Sequence, residues 1–191
     1  MRATAARSVS ARLILTVALA AVAPSAAGAV SPAWPGCEDL AGFECTTVAV
    51  PLDRDRPSRG TIPLAVSRVR ATDNPTGTAV VALAGGPGQA ALPLRQGFAS
   101  ALQAAITSRD LLVFDQRGTG RSTPDLNCPE RELAFVAVLT QTRPFDEELR
   151  LVGDAVAACH ARLRDEGVDL DAFDTVQNAQ DLAVVRQALG V

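Results

Sequence analysis

Val80-Val81-Ala82-Leu83-Ala84-Gly85-Gly86-Pro87-Gly88-Gln89, followed by Leu111-Leu112-Val113-Phe114-Asp115-Gln116-Arg117-Gly118-Thr119-Gly120-Arg121-Ser122, decides the reading of this chain. Each stretch is a short apolar run of strand length that passes straight into a glycine-rich turn. A strand ending in such a turn sets backbone N–H groups at the carboxyl edge of a sheet, where α/β proteins bind and react. In Gly85-Gly86-Pro87-Gly88 the glycines permit backbone conformations that other residues resist, and they let a ligand approach closely. Two N–H groups converging on one point would stabilise an oxyanion, at roughly 3–4 kcal/mol per donor in acyl transfer. The same turn also reads as a tight strand-to-helix connection with no chemistry of its own.

Around this pair the chain alternates between strand and helix patterns. Glu44 to Leu52 alternates and reads as a strand, and Thr61 to Val69 as another, joined by the polar turn Asp53 to Gly60. Thr78 to Leu83 is nearly all apolar, as in a buried central strand. Residues 90–107 read as helix, Asp110 to Asp115 as strand, and Arg121 to Pro144 as an irregular stretch. A helix is expected from an N-cap at Asp146 to Glu166, with Leu149, Val152, Val156, Cys159 and Leu163 on one stripe and Gly167 ending it. A second starts at Asp174, with Gln177 completing a capping box, carries Leu182, Val185 and Leu189 on one face and stops at Gly190. In this alternation the next element is a strand.

The first 29 residues hold Arg2, Arg7 and Arg12 and no acid, then the apolar run Leu13 to Ala23, then small residues with Ala27 and Ala29 before a cut. That is the pattern of a secretory signal peptide, and the apolar run is short for a membrane span. The expected organisation is therefore a signal peptide over 1–29 and one domain over 30–191, secreted or held in the cell envelope, with no membrane partner after cleavage. Cleavage removes three arginines and no acid from a chain of net charge −3, leaving it more acidic. Acidity argues against nucleic acid as a partner. Every basic residue other than His160 is arginine. With no lysine there is no Walker lysine, Schiff-base lysine or Ser–Lys catalytic pair.

Four cysteines in an exported chain suggest two disulfides. Of three pairings, Cys37–Cys45, closing a short loop, and Cys128–Cys159, tying a long excursion to a helix, are favoured. No Cys-x-x-Cys occurs, and His160 would point about 100° away from Cys159 on a helix, so no metal site is expected.

Asp115 and Arg117 are expected to pair with each other or to brace the glycine turn, as scaffold and not as catalysts. Ser122 lies seven residues past its strand in Gly120-Arg121-Ser122-Thr123-Pro124, which departs from G-x-S-x-G at the last position, so it reads as a turn serine. No G-x-S-x-G exists in the sequence, and His160 reads as a solvent-facing helix residue. Asp53/Asp55 and Asp169/Asp171 read as solvated loop charges. A rival reading takes Gly86-Pro87-Gly88-Gln89-Ala90-Ala91 as G-x-G-x-x-A with Asp115 as a ribose-binding acid. Pro87 weakens it by removing an N–H from the loop that should cradle pyrophosphate, and no cofactor is expected. A further alternative is a non-catalytic secreted domain with a binding or structural role.

Taken together, Ala84-Gly85-Gly86-Pro87-Gly88 resembles the HGGPG oxyanion turn, and Asp115 to Ser122 the DQRGxGxS segment, of the prolyl iminopeptidase-like α/β-hydrolases. The secreted tripeptidyl aminopeptidase branch is similar also in Trp34-x-x-Cys37, in Val50 to Asp53 and in the late Asp181-Leu182, so that the resemblance spans residues 34–191. It implies the amino-terminal part of an α/β-hydrolase fold: a mixed sheet with flanking helices, incomplete. It implies hydrolysis of amide or ester bonds in peptides or small substrates, typically at a free amino terminus, with Gly86 donating one oxyanion N–H and Gly85 beside it. Ala84 replaces the usual histidine of the turn. The nucleophile, its acid and its histidine have no counterpart here, so the chain by itself is expected to be inactive. A half sheet with an uncovered edge is also expected to self-associate.

Overall fold

The computed structural model describes residues 33–86 and 88–191; the signal peptide expected over 1–29, and Pro87, lie outside them. Four strands form one mixed sheet: β1 (Glu44–Pro51), β2 (Thr61–Val69), β3 (Ala79–Ala82) and β4 (Asp110–Phe114), in the order β1-β2-β4-β3. β1 and β2 are an antiparallel pair in which Val48 faces Leu64 and Val50 faces Ile62. β2 runs antiparallel to β4, and β3 pairs with β4 in parallel, Val80 opposite Leu111.

Side chains alternate across this sheet and feed two cores. On one face Val48, Val50, Ile62, Leu64, Val66 and Phe114 pack against Val185, Leu182 and Leu189 of α5 (Thr175–Ala188) and the residue after it. On the other, Ala65, Leu111, Val113 and Ala82 pack against Leu92, Phe98, Leu102 and Ile106, from a 3-10 turn (Leu92–Leu94) and the short helices α1 (Arg95–Ala101) and α2 (Gln103–Ile106). The result is a helix–sheet–helix layering, a partial α/β fold.

The expectation of a central strand over Thr78–Leu83 is corrected. β4 is the central strand, buried from Leu111 to Phe114, whereas β3 ends the sheet among the described residues and buries only Ala82. An apolar run marks a strand; it says nothing about how many neighbours that strand has in the hydrogen-bonding direction.

The stretch Arg121–Pro144 is not wholly irregular, for it contains α3 (Pro129–Thr140). Pro129 sits at the first helical position, where its fixed φ suits a helix start and its missing N–H costs nothing; Glu130 and Glu132 follow in the first turn. α4 (Phe145–Asp165) begins one residue before the expected cap, on Pro144, so that Asp146, Glu147 and Glu148 lie in its first turn, where they favour the positive end of the helix. Only Cys159 and Leu163 of the expected stripe are buried; Leu149 and Val156 are exposed. Both favoured disulfides are present. Cys37–Cys45 closes the loop before β1, and Cys128–Cys159 staples α3 to α4 with 5.5 Å between Cα atoms. Arg162 adds to the staple, its Nε 2.6 Å from Glu130 Oε1. No helix among the described residues is long and apolar enough to cross a membrane.

Candidate active site

β3 and β4 run in parallel, so both glycine turns leave the same edge of the sheet. Between them lies Asp115, fully buried one residue past β4. Its Oδ1 accepts the backbone N–H groups of Ala91 (2.7 Å) and Leu92 (2.8 Å), and its Oδ2 accepts that of Arg121 (2.8 Å). Three charge-assisted bonds offset the desolvation of this carboxylate and tie the end of the first glycine turn to the second. Gly120, at φ +56°, lets the second turn fold back over Asp115; a Cβ there would lie 2.7 Å from Ala90 Cβ. The carboxylate is thus spent on main-chain donors, which leaves no oxygen free in the manner a ribose-binding acid requires.

The first turn is held by Gln116. Its Nε2 donates to the Ala84 carbonyl at 3.1 Å, and its Oε1 accepts from Asn178 Nδ2 on α5. The peptide unit between Ala84 and Gly85 is planar and trans, so the Gly85 N–H points opposite to the Ala84 carbonyl. Holding that carbonyl inward against Gln116 therefore turns the Gly85 N–H away from the protein. Gly85 and Gly86 are exposed, and a Cβ on Gly85 would meet nothing within 4 Å. Gly86 takes φ +132° and Gly88 φ +91°, backbone that a side chain would oppose.

Asp115 and Arg117 do not pair with each other, against the first of the two sequence expectations. The turn closed by Thr119 N–H on Gln116 O (3.0 Å) sends them to different layers. Arg117 forms a bidentate pair with Asp181 of α5, at 2.7 Å on both oxygens, and donates to the carbonyls of Pro51, Leu52 and Ala172. Arg54 reaches the same Asp181 at 2.8 Å and also grips Gln177. Gln177 therefore serves Arg54 with its side chain and Asp174 with its backbone N–H (2.7 Å), a half capping box only. One buried pair thus joins the ends of β1 and β4 to α5, while Asp115 holds the backbone at Ala91 and Leu92, past the glycine turn.

Ser122 is buried, and both capacities of its hydroxyl are used: Oγ donates to Asp115 O (2.6 Å) and accepts from Ala65 N–H (3.0 Å). It locks β2 to the turn and has neither a base nor an open approach. His160 lies exposed on α4. Cys37, Asp39 and Cys45, and likewise Cys128, Glu130 and Cys159, come close enough to suggest ligand sets, but their sulfurs are bound in disulfides and offer no thiolate. Asp53 and Asp169 are not the solvated loop charges expected. Asp53 is buried and accepts the N–H groups of Asp55 and Arg56 and the Arg56 guanidinium, which holds its carboxyl below the ordinary range. Asp169 binds Arg56 and Arg59.

The site residues missed from sequence are Gln116 and Asn178, together with Arg54, Pro51 and Leu52 as partners of the buried pair. Gln116 stands inside the second glycine motif, but its amide partner is on a helix 62 residues away.

No family model matches the chain. Over 152 residues, 75% of this chain, it is 34% identical to carboxylesterase B of Mycobacterium tuberculosis and to a hydrolase of Mycobacterium bovis. Over 88 residues, 46% of the chain, it is 36% identical to the serine protease Hip1 of Mycobacterium tuberculosis. The match spans 28% of the length of the first two relatives and 17% of the third. Fold and relatives together make this chain a partial α/β domain related to hydrolases, a carboxylesterase and a serine protease among them.

Proposed function

We propose that this chain is the oxyanion-binding, amino-terminal portion of an exported serine hydrolase that cleaves peptide or ester bonds, with a free amino terminus on the substrate. The observation that carries this reading is the exposed Gly85–Gly86 turn at the carboxyl end of β3, braced from behind by Gln116 on the Ala84 carbonyl and at its far end by Asp115. In this reading the N–H groups of Gly85 and Gly86 are the donors, a preorganised place for charge that develops on a substrate carbonyl oxygen. The attacking hydroxyl belongs to residues outside this sequence, on a strand that follows α5 and lies along the open side of β3. Residues 1–29 direct export, and residues 30–191 form the domain portion. The aminopeptidase specificity rests on the resemblance of the two glycine motifs.

Two measurements test this. The reading frame beyond codon 191 is expected to encode a Gly-x-Ser-x-Gly within about one strand length, roughly 5–6 residues, of α5. The purified 191-residue chain is expected to take no label from a fluorophosphonate probe and to turn over no aminoacyl or short-chain ester chromogenic substrate. Covalent labelling at Ser122, or a frame that continues without any such serine, would overturn the proposal.

A further inference from the structure

A cavity of about 320 Å³ lies between the Cys37–Cys45 loop and the segment that follows the glycine turn, with Asp39, Leu40, Leu92, Pro93, Arg95 and Arg121 in its wall. Two guanidiniums and one carboxylate meet there. Asp39 Oδ1 lies 2.7 Å from Arg95 Nη2, and its Oδ2 2.6 Å from Arg121 Nη2. The two arginines hold the Asp39 carboxyl down at about 2. They differ in setting. The Arg95 side chain is 5% exposed, whereas those of Arg121 and Asp39 are 56% and 39% exposed.

Arg95 spends Nη1 on the Leu92 carbonyl (2.7 Å) and Nη2 on Asp39, but its Nε is buried without an acceptor among the described residues. A buried, unpaired donor on a charged group is costly, and native proteins rarely leave one. Among the described residues the Arg121 side chain makes one hydrogen bond, through Nη2 to Asp39. The cluster therefore carries a surplus positive charge and unused donors on both cations. Leu40, Leu92 and Pro93 supply apolar wall beside them. Asp39 stands at the exposed end of the group, on a disulfide loop outside the sheet, where solvent weakens its hold.

We propose that this cavity is a binding site for a short aliphatic carboxylate, and that Asp39 is a built-in competitor occupying its outer part. The ligand's carboxylate bridges Arg95 and Arg121 and displaces the Asp39 carboxylate toward solvent. Its hydrocarbon portion lies against Leu92 and Pro93. The planar fork of a guanidinium matches a carboxylate in two-point contact, which a spherical anion does not reproduce. The site is separate from the Gly85–Gly86 backbone, and the proposal stands whether or not the chain forms part of a hydrolase.

Butyrate is the probe, followed by the Arg Nε–H resonances of the folded chain and by calorimetry. Wild-type protein is expected to show a saturable shift of the Arg95 Nε–H signal below about 100 mM butyrate. Asp39→Asn removes the competitor and is expected to tighten binding by about tenfold. Adding Arg121→Gln to Asp39→Asn is expected to reverse that gain, while butylamine produces no shift. Equal shifts with chloride or inorganic phosphate at the same concentration would mean a general anion effect and overturn the carboxylate assignment. No saturable shift in wild type, or butyrate affinity unchanged between Asp39→Asn and the double variant, would overturn the site itself. The wild-type titration needs no substitution, so it decides whether the cavity binds butyrate even where a variant fails to fold.

Discussion

Gln116 occupies a position where one hydrogen bond decides the direction of another group. Its amide fixes the Ala84 carbonyl, and through the planar peptide it fixes the Gly85 N–H. Gln116→Ala is expected to release that carbonyl at a cost of about 1 kcal/mol in stability. In carbon-13 spectra the Ala84 carbonyl resonance is expected to move upfield, and the Gly85 and Gly86 amide signals to broaden. Unchanged resonances would show that the turn holds its shape without the glutamine. Arg117 poses the opposite case, a side chain whose whole fork is committed. It donates to both oxygens of Asp181 and to three carbonyls, all at the junction of β1, β4 and α5. Arg117→Lys keeps the charge and loses the planar geometry, leaving Asp181 and the carbonyls short of donors. The expected loss is about 3 kcal/mol, read from the urea midpoint. A variant within about 0.5 kcal/mol of wild type would contradict the bracing role.

At the scale of elements, the α3–α4 hairpin depends on its staple more than on its apolar stripe. Leu149 and Val156 point into solvent, so the pair is held by Cys128–Cys159, by Arg162 with Glu130, and by the buried Ala134, Cys159 and Leu163. Replacing both cysteines by serine is expected to cost about 3 kcal/mol. Amide exchange should speed up first in α3 and α4, with β2 and β4 still protected. Uniform loss of protection over the whole chain would refute a separable hairpin. The same hairpin shows what a sequence reading can reach. β1, β2 and β4 were legible to within a residue because alternation and glycine punctuation are local signals. α5 was legible from its Asp174 cap and terminal Gly190 for the same reason. α3 was not, because proline signals a break in most contexts and a helix start in only one. The edge position of β3 was hidden because strand order is a property of pairing, not of composition. Asp115 and Arg117 stand out in the second glycine motif, but partners of theirs sit 24 and 64 residues away, beyond the reach of any local pattern.

For the molecule as a whole, charge and edge set its behaviour in solution. Asp39, Asp53, Glu44 and Glu130 are all held below their ordinary range; for Asp39, Asp53 and Glu130 the main cause is a hydrogen-bonded arginine. A carboxylate with a lowered folded value contributes stability that is present above its unfolded value, about 4, and is lost as pH falls through the folded one. The urea midpoint is therefore expected to be flat from about pH 7 to 5 and to fall steeply between about pH 4 and 2; a midpoint constant down to about pH 2.5 would contradict these assignments. Association follows from the sheet. β3 has β4 on one side and no strand on the other among the described residues, and Leu83 at its end is 48% exposed. An unpaired edge is a row of free donors and acceptors, and a second copy meeting it antiparallel would close both edges in one symmetric contact. The isolated chain is therefore expected to sediment as a concentration-dependent mixture of monomer and dimer. Leu83→Lys places a charge at that edge without touching either core, so it is expected to shift the mixture toward monomer at unchanged circular dichroism. A wild-type chain that stays monodisperse and monomeric up to about 0.1 mM would show that the β3 edge is protected by something other than a neighbouring strand.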